Sequence, residues 1–176
     1  MKRLRMAVWI LCMVALAGST GAQPTADSEE TVVSTLFFKL PLFVYRPDDP
    51  RFLPLSVCLL GSEPFHTHFA RLAQAPVDGR PVSYRRLSAT SDATPCHYLF
   101  ISTSHAPHFN QILHTLVNSP TVTVSDMPGF AQAGGMVELS RSTPGSPIGV
   151  LINRNAARHQ DIGFNAQLLR LARVVP

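Results

Sequence analysis

The segment of residues 121–153 constrains the fold more than any other part of the chain. It opens with TVTVSD, in which valines alternate with polar residues as in a β-strand. Pro128 and Gly129 then force a turn. Two strand-like runs, residues 136–140 and 148–153, follow on either side of a Thr-Pro-Gly-Ser-Pro turn. The segment therefore predicts a strand that ends in a loop and leads into a β-hairpin.

Polar side chains collect where that first strand ends. Ser125 and Asp126 close it, and Ser102 closes the strand-like run before it. In an open α/β sheet, the edge at the carboxyl ends of the strands is where crevices form and ligands or partners bind. We therefore expect a recognition edge at Ser102, Ser125 and Asp126.

The loop after this edge carries three further candidates for recognition. Phe130 lies where no periodicity obliges its ring to point inward, so it either anchors an interface or folds back over the core. Gly134 and Gly135 allow backbone conformations or close approaches that a side chain would obstruct. The predicted recognition edge thus includes Phe130, Gly134 and Gly135.

Strand-like runs alternate with helical patterns through the rest of the chain, which favours crossover connections and a parallel sheet. We expect a first helix over residues 28–45, kinked near Pro41, and a closing helix over residues 162–173. The other expected elements are strands over residues 55–61, 81–87, 98–102 and 121–126, and helices around residues 65–72 and 109–117. With 176 residues, 45% of them hydrophobic, the chain suits one α/β domain: a mostly parallel sheet with a β-hairpin at one edge, flanked by helices.

Residues 1–22 have the pattern of an export signal. Lys2, Arg3 and Arg5 precede an apolar run over residues 6–17, and small residues offer a cleavage site near Ala22. The alternative is a retained membrane anchor, but the run is shorter than the roughly 20 apolar residues that span a bilayer. We expect cleavage, a periplasmic location and a mature domain over residues 23–176.

Loss of this signal removes most of the positive charge. The chain has 15 basic and 11 acidic residues, a formal charge of +4, and the mature domain keeps 12 basic residues and a charge of +1. Arg85 and Arg86 form its one adjacent basic pair. Phosphate binding requires a clustered basic surface, so nucleic acid is not an expected partner.

Two cysteines, Cys58 and Cys96, remain once Cys12 is removed with the signal. An even pair in an oxidising compartment favours a disulfide, and each lies in or beside an apolar strand-like run. The alternative is a nucleophilic Cys96 activated by His97, but consecutive residues of a strand point to opposite faces. A bridge between the two cysteines would contribute about 4 kcal/mol in the chain-entropy model.

Motifs for catalysis, cofactors and metals are weak or missing. The sequence contains no nucleophile elbow, zinc-protease motif, phosphate-binding loop or dinucleotide fingerprint. Asp126 has no identifiable partner for acid–base work, so a role as a strand-end cap or turn former is favoured. His66 with His68, and His105 with His108, are two pairs that could begin a metal site, but no further ligands complete either set. We predict no enzyme activity, no cofactor and no metal.

Several short motifs, taken in order, resemble the YfiR family of periplasmic proteins. They are F-x5-V over residues 38–44 with a following proline, VCLLG-x-x-PF, GRPV, CHYLFIS, TVTVSD-x-PGF, GGM, IN and LLRLARVV, which together span residues 32–175. The chain departs from the family pattern at Arg46, because the family usually has a tryptophan before the proline at this point. On this resemblance Cys58 and Cys96 match a cysteine pair of the family.

The resemblance implies a compact, exported α/β protein that restrains an inner-membrane diguanylate cyclase. Members act by binding the periplasmic portion of that enzyme, which lowers cyclic di-GMP in the cell. The alternative function is a periplasmic small-molecule sensor that uses the edge at Ser102, Ser125 and Asp126 to signal to another membrane receptor, such as a histidine kinase. The first helix adds a possible homodimer or docking surface, because it is apolar around much of its circumference at Leu36, Phe37, Phe38 and Leu40.

Overall fold

The structure, a computed structural model, describes residues 26–46, 49, 53–61, 63–93 and 96–175. The predicted signal peptide over residues 1–22 lies outside these ranges. No helix within the described ranges is long and apolar enough to cross a membrane.

Strands and helices alternate over most of the described chain. The strands are β1 (Val44–Tyr45), β2 (Leu55–Leu60), β3 (Val82–Arg86), β4 (Tyr98–Ile101), β5 (Val122–Ser125), β6 (Val137–Arg141), β7 (Ile148–Asn153), β8 (Gly163–Phe164) and β9 (Arg173–Val175). The α-helices are α1 (Ala26–Lys39), α2 (Glu63–Leu72), α3 (Phe109–Leu116), α4 (Arg154–Arg158) and α5 (Ala166–Leu171). Short 3-10 helices lie at Leu40–Leu42, Thr90–Ala93 and Thr103–His108.

Seven of the strands form one sheet in the order β3-β2-β4-β5-β6-β7-β9. Neighbours from β3 to β6 are parallel, β6 and β7 are antiparallel, and β7 and β9 are parallel. The α/β class and the mostly parallel sheet are confirmed, and so is the hairpin, which is β6 and β7. The hairpin does not end the sheet, however, because β9 pairs with its outer strand.

The predicted first helix over residues 28–45 is wrong at its carboxyl end. Helix α1 ends at Lys39, and Pro41 lies in a 3-10 turn. Proline lacks the N–H that would continue the helical ladder, and its ring clashes with the preceding turn, so the helix stops instead of kinking. The released Val44–Tyr45 segment becomes β1 and pairs antiparallel with β8.

The predicted closing helix over residues 162–173 is also wrong, because it is three elements. Strand β8 pairs with β1, and the helix starts only after Asn165, whose side chain accepts a hydrogen bond from the Leu168 N–H. Asparagine at this position caps a helix start and favours a break before it. The chain then continues into β9 along β7. The sequence pattern missed this outer strand.

One face of the sheet packs against α1 and α2 through aromatic rings. The ring of Phe37 stacks on Phe69 at a centroid distance of 4.9 Å and meets Phe100 of β4 edge-on at 5.5 Å. These three side chains are fully buried. Aromatic side chains bury large apolar areas, so this cluster fixes α1 and α2 on the sheet.

The other face packs against α3 and the loop after β5. Ile112 and Leu116 of α3 lie against Leu99 and Ile101 of β4, with Phe130 from the loop. Strands β2 and β4 are covered on both faces, so their residues are apolar in nearly continuous runs. Strand β5 is also buried on both faces, but it alternates valine with the buried polar residues Thr123 and Ser125.

Candidate functional site

The serines of the predicted recognition edge are buried and bonded within the chain. Ser125 Oγ donates to the Ile101 carbonyl at 2.6 Å and accepts from the Met127 N–H at 3.1 Å. The hydroxyl oxygens of Ser102 and Ser104 lie 2.6 Å apart. These bonds join the carboxyl ends of β4 and β5 to the loops that follow them. Ser102 and Ser125 therefore build the edge, and their hydroxyls do not face solvent.

Asp126 lies at the same edge and is only partly buried. Its Oδ1 accepts a hydrogen bond from the Thr103 N–H at 2.8 Å, so the carboxylate caps the 3-10 helix that starts there. Burial raises the pKa of Asp126; the hydrogen bonds from Thr103 partly offset this, and the charge of Glu29 raises the pKa further. The capping role that the sequence favoured agrees with these contacts.

The three candidates in the loop after β5 differ in burial and in the reason for their residue type. Phe130 is fully buried, which corrects the hypothesis that its ring anchors an interface. Its ring packs so closely on Gly135 that a Cβ there would lie 2.1 Å from a ring carbon. Gly134 is exposed, with φ +107°, a conformation that L side chains rarely adopt. Glycine is thus required at Gly135 because the Phe130 ring lies so close to its backbone, and at Gly134 because of its positive φ.

The first helix presents less apolar surface than its sequence pattern indicates. Phe37, Phe38 and Leu40 are all buried within the domain's own core. Val32 and Leu42 stay about half exposed. The core rather than a second chain therefore accounts for most of the apolar circumference of α1.

The two cysteines form the predicted disulfide. Cys58 of β2 and Cys96, two residues before β4, have Cα atoms 5.9 Å apart, and both are buried beneath the second face of the sheet. Arg85 lies over the bridge, with Nη2 3.8 Å from the Cys58 sulfur and 3.5 Å from the Cys96 sulfur. The prediction of a staple between two neighbouring strands is confirmed.

Both members of the first histidine pair, and His105 of the second, have protein partners. His66 Nδ1 lies 2.9 Å from the Tyr84 hydroxyl, and His68 Nε2 lies 3.5 Å from the Thr31 hydroxyl. Within the described ranges, no group of three or more histidine, cysteine or acidic side chains has the arrangement of a metal site. The contacts of His66 and His68 are those of structural residues.

A polar cluster lies at the opposite edge of the sheet, where the parallel strands begin. Arg80 is buried and donates to Asp49 at 2.6 Å and to the Leu53 carbonyl at 3.0 Å. The pKa of Asp49 is raised by burial, but the hydrogen bond and charge of Arg80 outweigh this and hold it below its usual value. Burial lowers the pKa of His97, and the charge of Arg46 lowers it further. This cluster places a net positive charge at the amino edge.

Two adjoining cavities open beside that cluster. The larger, of about 520 Å³, lies between α3 and α4 over the starts of β5 and β6, and Gly134 is on its wall. The smaller, of about 360 Å³, is lined by Arg46, Ser119, His159, Gln160 and other residues. Sequence reasoning placed the site at the carboxyl edge and missed these cavities. The one signal for them was the isolated charge of Arg46 directly after an apolar run.

Fold and edge geometry together define a single α/β domain whose exposed sheet edges offer the candidate binding sites. The chain belongs to the YfiR/HmsC-like family, whose model matches residues 30–173. The match covers nearly all of the described chain, including both sheet edges and the disulfide. No curated protein matches the chain.

Two solved structures show the same fold at low sequence identity. One is titled the ABC domain in complex with L-Trp, from Streptococcus pneumonia, at 12% identity and a TM-score of 0.52. The other is a conserved domain protein from Vibrio cholerae, at 12% identity and a TM-score of 0.56. Each match covers 84% of this chain and 60% of the other, so this chain spans about three fifths of their length. At this identity the likeness concerns the fold alone.

Proposed function

We propose that this protein represses a membrane-bound diguanylate cyclase by binding the periplasmic portion of that enzyme. The observation that carries the proposal is membership of the YfiR/HmsC-like family across residues 30–173. Membership supports a general role as a periplasmic regulator of diguanylate cyclase signalling, and such proteins act as regulators rather than as enzymes. Direct binding to the periplasmic portion of a cyclase goes beyond this general role and is the part that we propose.

The disulfide supports an exported location. Cys58 and Cys96 are joined in the structure, and disulfides persist in the periplasm and are rare in the reducing cytosol. The charged and apolar pattern of residues 1–22 supplies the export signal in this proposal.

Repression requires a difference in affinity between two states of the cyclase. A ligand that binds both states equally shifts no equilibrium, so the domain must hold the inactive state more tightly. Coupling of this kind is typically about 1 to 3 kcal/mol, which corresponds to roughly a 5- to 150-fold change in affinity. One modest interface therefore suffices for control.

We place the recognition surface on the carboxyl edge. Asp126 is partly accessible there, and Thr103, whose N–H it accepts, is exposed. The buried Ser102, Ser125, Phe130 and Gly135 support this surface from beneath, while Gly134 is exposed farther along the same loop. Because the hydroxyls of Ser102 and Ser125 are bonded within the chain, no observation favours a small-molecule site at this edge over a protein contact.

Deletion of the gene tests the proposal. We expect cellular cyclic di-GMP to rise in the deletion strain and to return to the original level when the full chain is supplied. A chain that lacks residues 1–22 is the matched control, because it should stay in the cytosol and fail to restore the level. Unchanged cyclic di-GMP in the deletion strain would contradict the proposal.

A further inference from the structure

Strand β9 leaves one edge of the main sheet open. It is the last strand in the order of the sheet, and among the described segments it pairs only with β7. Arg173 and Val174 of this strand are exposed, so no described element covers it. An outer strand directs part of its backbone N–H and C=O groups away from the sheet, where they can pair with another extended segment.

Two apolar side chains accompany this open edge. Leu171, at the end of α5, is 77% exposed and is the most exposed large hydrophobic residue of the described chain, and Val174 is 45% exposed. Single exposed apolar residues are common on protein surfaces. Beside an open strand, however, they supply the side-chain contacts that an added strand uses in addition to its backbone hydrogen bonds.

A groove runs along one face of the same edge. It has a volume of about 420 Å³ and lies between the loop after β5 and strands β6, β7 and β9. Leu151, Leu171 and Arg173 are part of its lining. Because successive residues of a strand point to opposite faces, Arg173 faces this groove and Val174 faces the other side of the sheet. A strand added to β9 would therefore direct every second side chain into the groove.

The accessible charges at this edge are positive. Arg173 on β9 and Arg170 on α5 are both exposed. Arg173 makes no hydrogen bond or ion pair with any side chain in the described ranges. Its guanidinium is thus available to a partner, and guanidinium donors match carboxylate oxygens.

The other charged residues that line the groove are held within the chain. Arg141 donates to Glu29 at 3.0 Å. Glu138 is buried, and its two carboxylate oxygens accept from the Ala131 N–H and the Ser140 hydroxyl. When these three charges are counted with the two exposed arginines, one positive charge remains in excess. A partner therefore meets a positive surface.

We propose that β9 receives an extended segment of a partner protein as an additional strand of the sheet. The segment carries acidic side chains on the face of Arg173 and apolar side chains on the face of Val174. A second copy of this chain does not fit, since pairing of two β9 edges would bring their arginines together. The short length of β9 and its charge also discourage unselective pairing. The proposal does not require the partner to be a diguanylate cyclase.

NMR titration of the full mature domain with short peptides tests the proposal. The probe is acetyl-Thr-Val-Glu-Val-Glu-Val-Thr-amide, in which valine and glutamate alternate as the edge requires. The control peptide has lysine in place of both glutamates. We expect the glutamate peptide to shift the amide signals of Arg173 and Val174, and the lysine peptide to bind at least about fivefold more weakly.

Methylation of alternate peptide nitrogens tests the strand pairing itself. Only every second N–H of an added strand points to its neighbour. Two forms of the glutamate peptide are compared, one methylated at the valine nitrogens and the other at the glutamate nitrogens. One form should lose binding and the other should keep it. Equal effects of the two patterns would show that the peptide does not bind as a strand and would overturn the proposal.

Charge reversal at the edge tests the role of Arg173. Arg173→Glu should make the domain prefer the lysine peptide. Lys39→Glu, which makes the same charge change at an exposed position on α1, should keep the preference for glutamate. An unchanged preference in Arg173→Glu, no signal shifts with the glutamate peptide, shifts confined to other surfaces, or a dimer paired through β9 would each overturn the proposal.

Discussion

His97 and the backbone of Ser56 are joined by two hydrogen bonds that run in opposite directions, one to the His97 ring and one from the His97 backbone. His97 Nδ1 accepts from the Ser56 N–H at 3.1 Å, and the His97 N–H donates to the Ser56 carbonyl at 2.9 Å. This pair extends the ladder between β2 and β4 by one residue ahead of the start of β4. An imidazole that accepts at Nδ1 must be unprotonated there, so the hydrogen bond from Ser56, and with it the stability of this edge of the sheet, depends on pH.

Acidification should weaken the fold through His97. Burial first, and then the charges of Arg46 and Arg80, lower its pKa in the folded state below 6.5, against the opposing charge of Asp49. The unfolded chain thus binds the proton more readily. The contribution of His97 is complete above about pH 6.5 and is lost as pH falls through that value towards the folded-state pKa.

Replacement of His97 by asparagine isolates this effect. Asparagine Oδ1 can accept from the Ser56 N–H but does not titrate, so His97→Asn should lose less stability than the wild type between about pH 7.5 and about pH 5.5. Urea unfolding at the two pH values measures this loss of stability. His114→Asn, at an exposed position, is the control. An equal pH dependence in His97→Asn and wild type would refute the assignment.

Loss of the disulfide should remove a large part of the net stability. The bridge closes a loop with a sequence separation of 38, which the chain-entropy model values at about 4 kcal/mol. We expect the double variant Cys58→Ala and Cys96→Ala to unfold at a much lower urea concentration. The wild type with reductant should behave like the variant. If the double variant were as stable as the oxidised wild type, the disulfide would have no stabilising role.

A methyl group at Gly135 should disrupt the packing of Phe130. The added Cβ would lie 2.1 Å from the ring, and overpacking of a core costs about 1 to 3 kcal/mol or more. Gly149→Ala is the matched control, because its nearest contact would be an ordinary 3.6 Å to the Ser140 carbonyl. Thermal unfolding compares the two. A Gly135→Ala variant as stable as Gly149→Ala would show that the close approach is absent.

The carboxylate of Asp126 should be replaceable by an amide but not by a methyl group. Because burial raises its pKa, the stability that comes from its protonated form is present below about pH 3.8 and is lost as pH rises through the folded-state pKa. Asp126→Asn keeps an acceptor for the Thr103 N–H and removes the charge. It should therefore match or exceed the wild-type Tm at neutral pH.

Asp126→Ala removes the acceptor as well and should cost about 1 kcal/mol, the usual value of a helix cap. The exposed Asp92→Asn controls for loss of a negative charge. If Asp126→Asn were destabilised as much as Asp126→Ala, the carboxylate would make an ionic contact beyond the cap.

Local pattern predicted the centre of the fold well and its ends poorly. Strands Leu55–Leu60 and Tyr98–Ile101 are apolar runs, and burial on both faces gives them a clear signal. The segments Val44–Tyr45 and Arg173–Val175 are short, and each is a strand only because a distant segment pairs with it. A segment of two or three residues is too short to show a periodicity, so its sequence does not reveal that it pairs with a distant strand.

The candidate site was likewise predictable from the sequence only in part. The sequence placed Ser102, Ser125 and Asp126 together, because carboxyl ends of parallel strands meet at one edge. It could not show that the serine hydroxyls are bonded to the adjacent strand and loop. The amino-edge cavity was beyond sequence reasoning, since Arg46 and Gln160 are 114 positions apart and meet only through the tertiary fold.

The most direct measurement of the central proposal is capture of the partner in intact cells. The full chain, carrying an affinity tag, is crosslinked in living cells with formaldehyde and purified from the membrane fraction, and the attached proteins are identified by mass spectrometry. We predict one inner-membrane protein with a diguanylate cyclase domain, crosslinked through its periplasmic portion. Recovery of the exported, disulfide-bonded chain with no cyclase attached would contradict the proposed function.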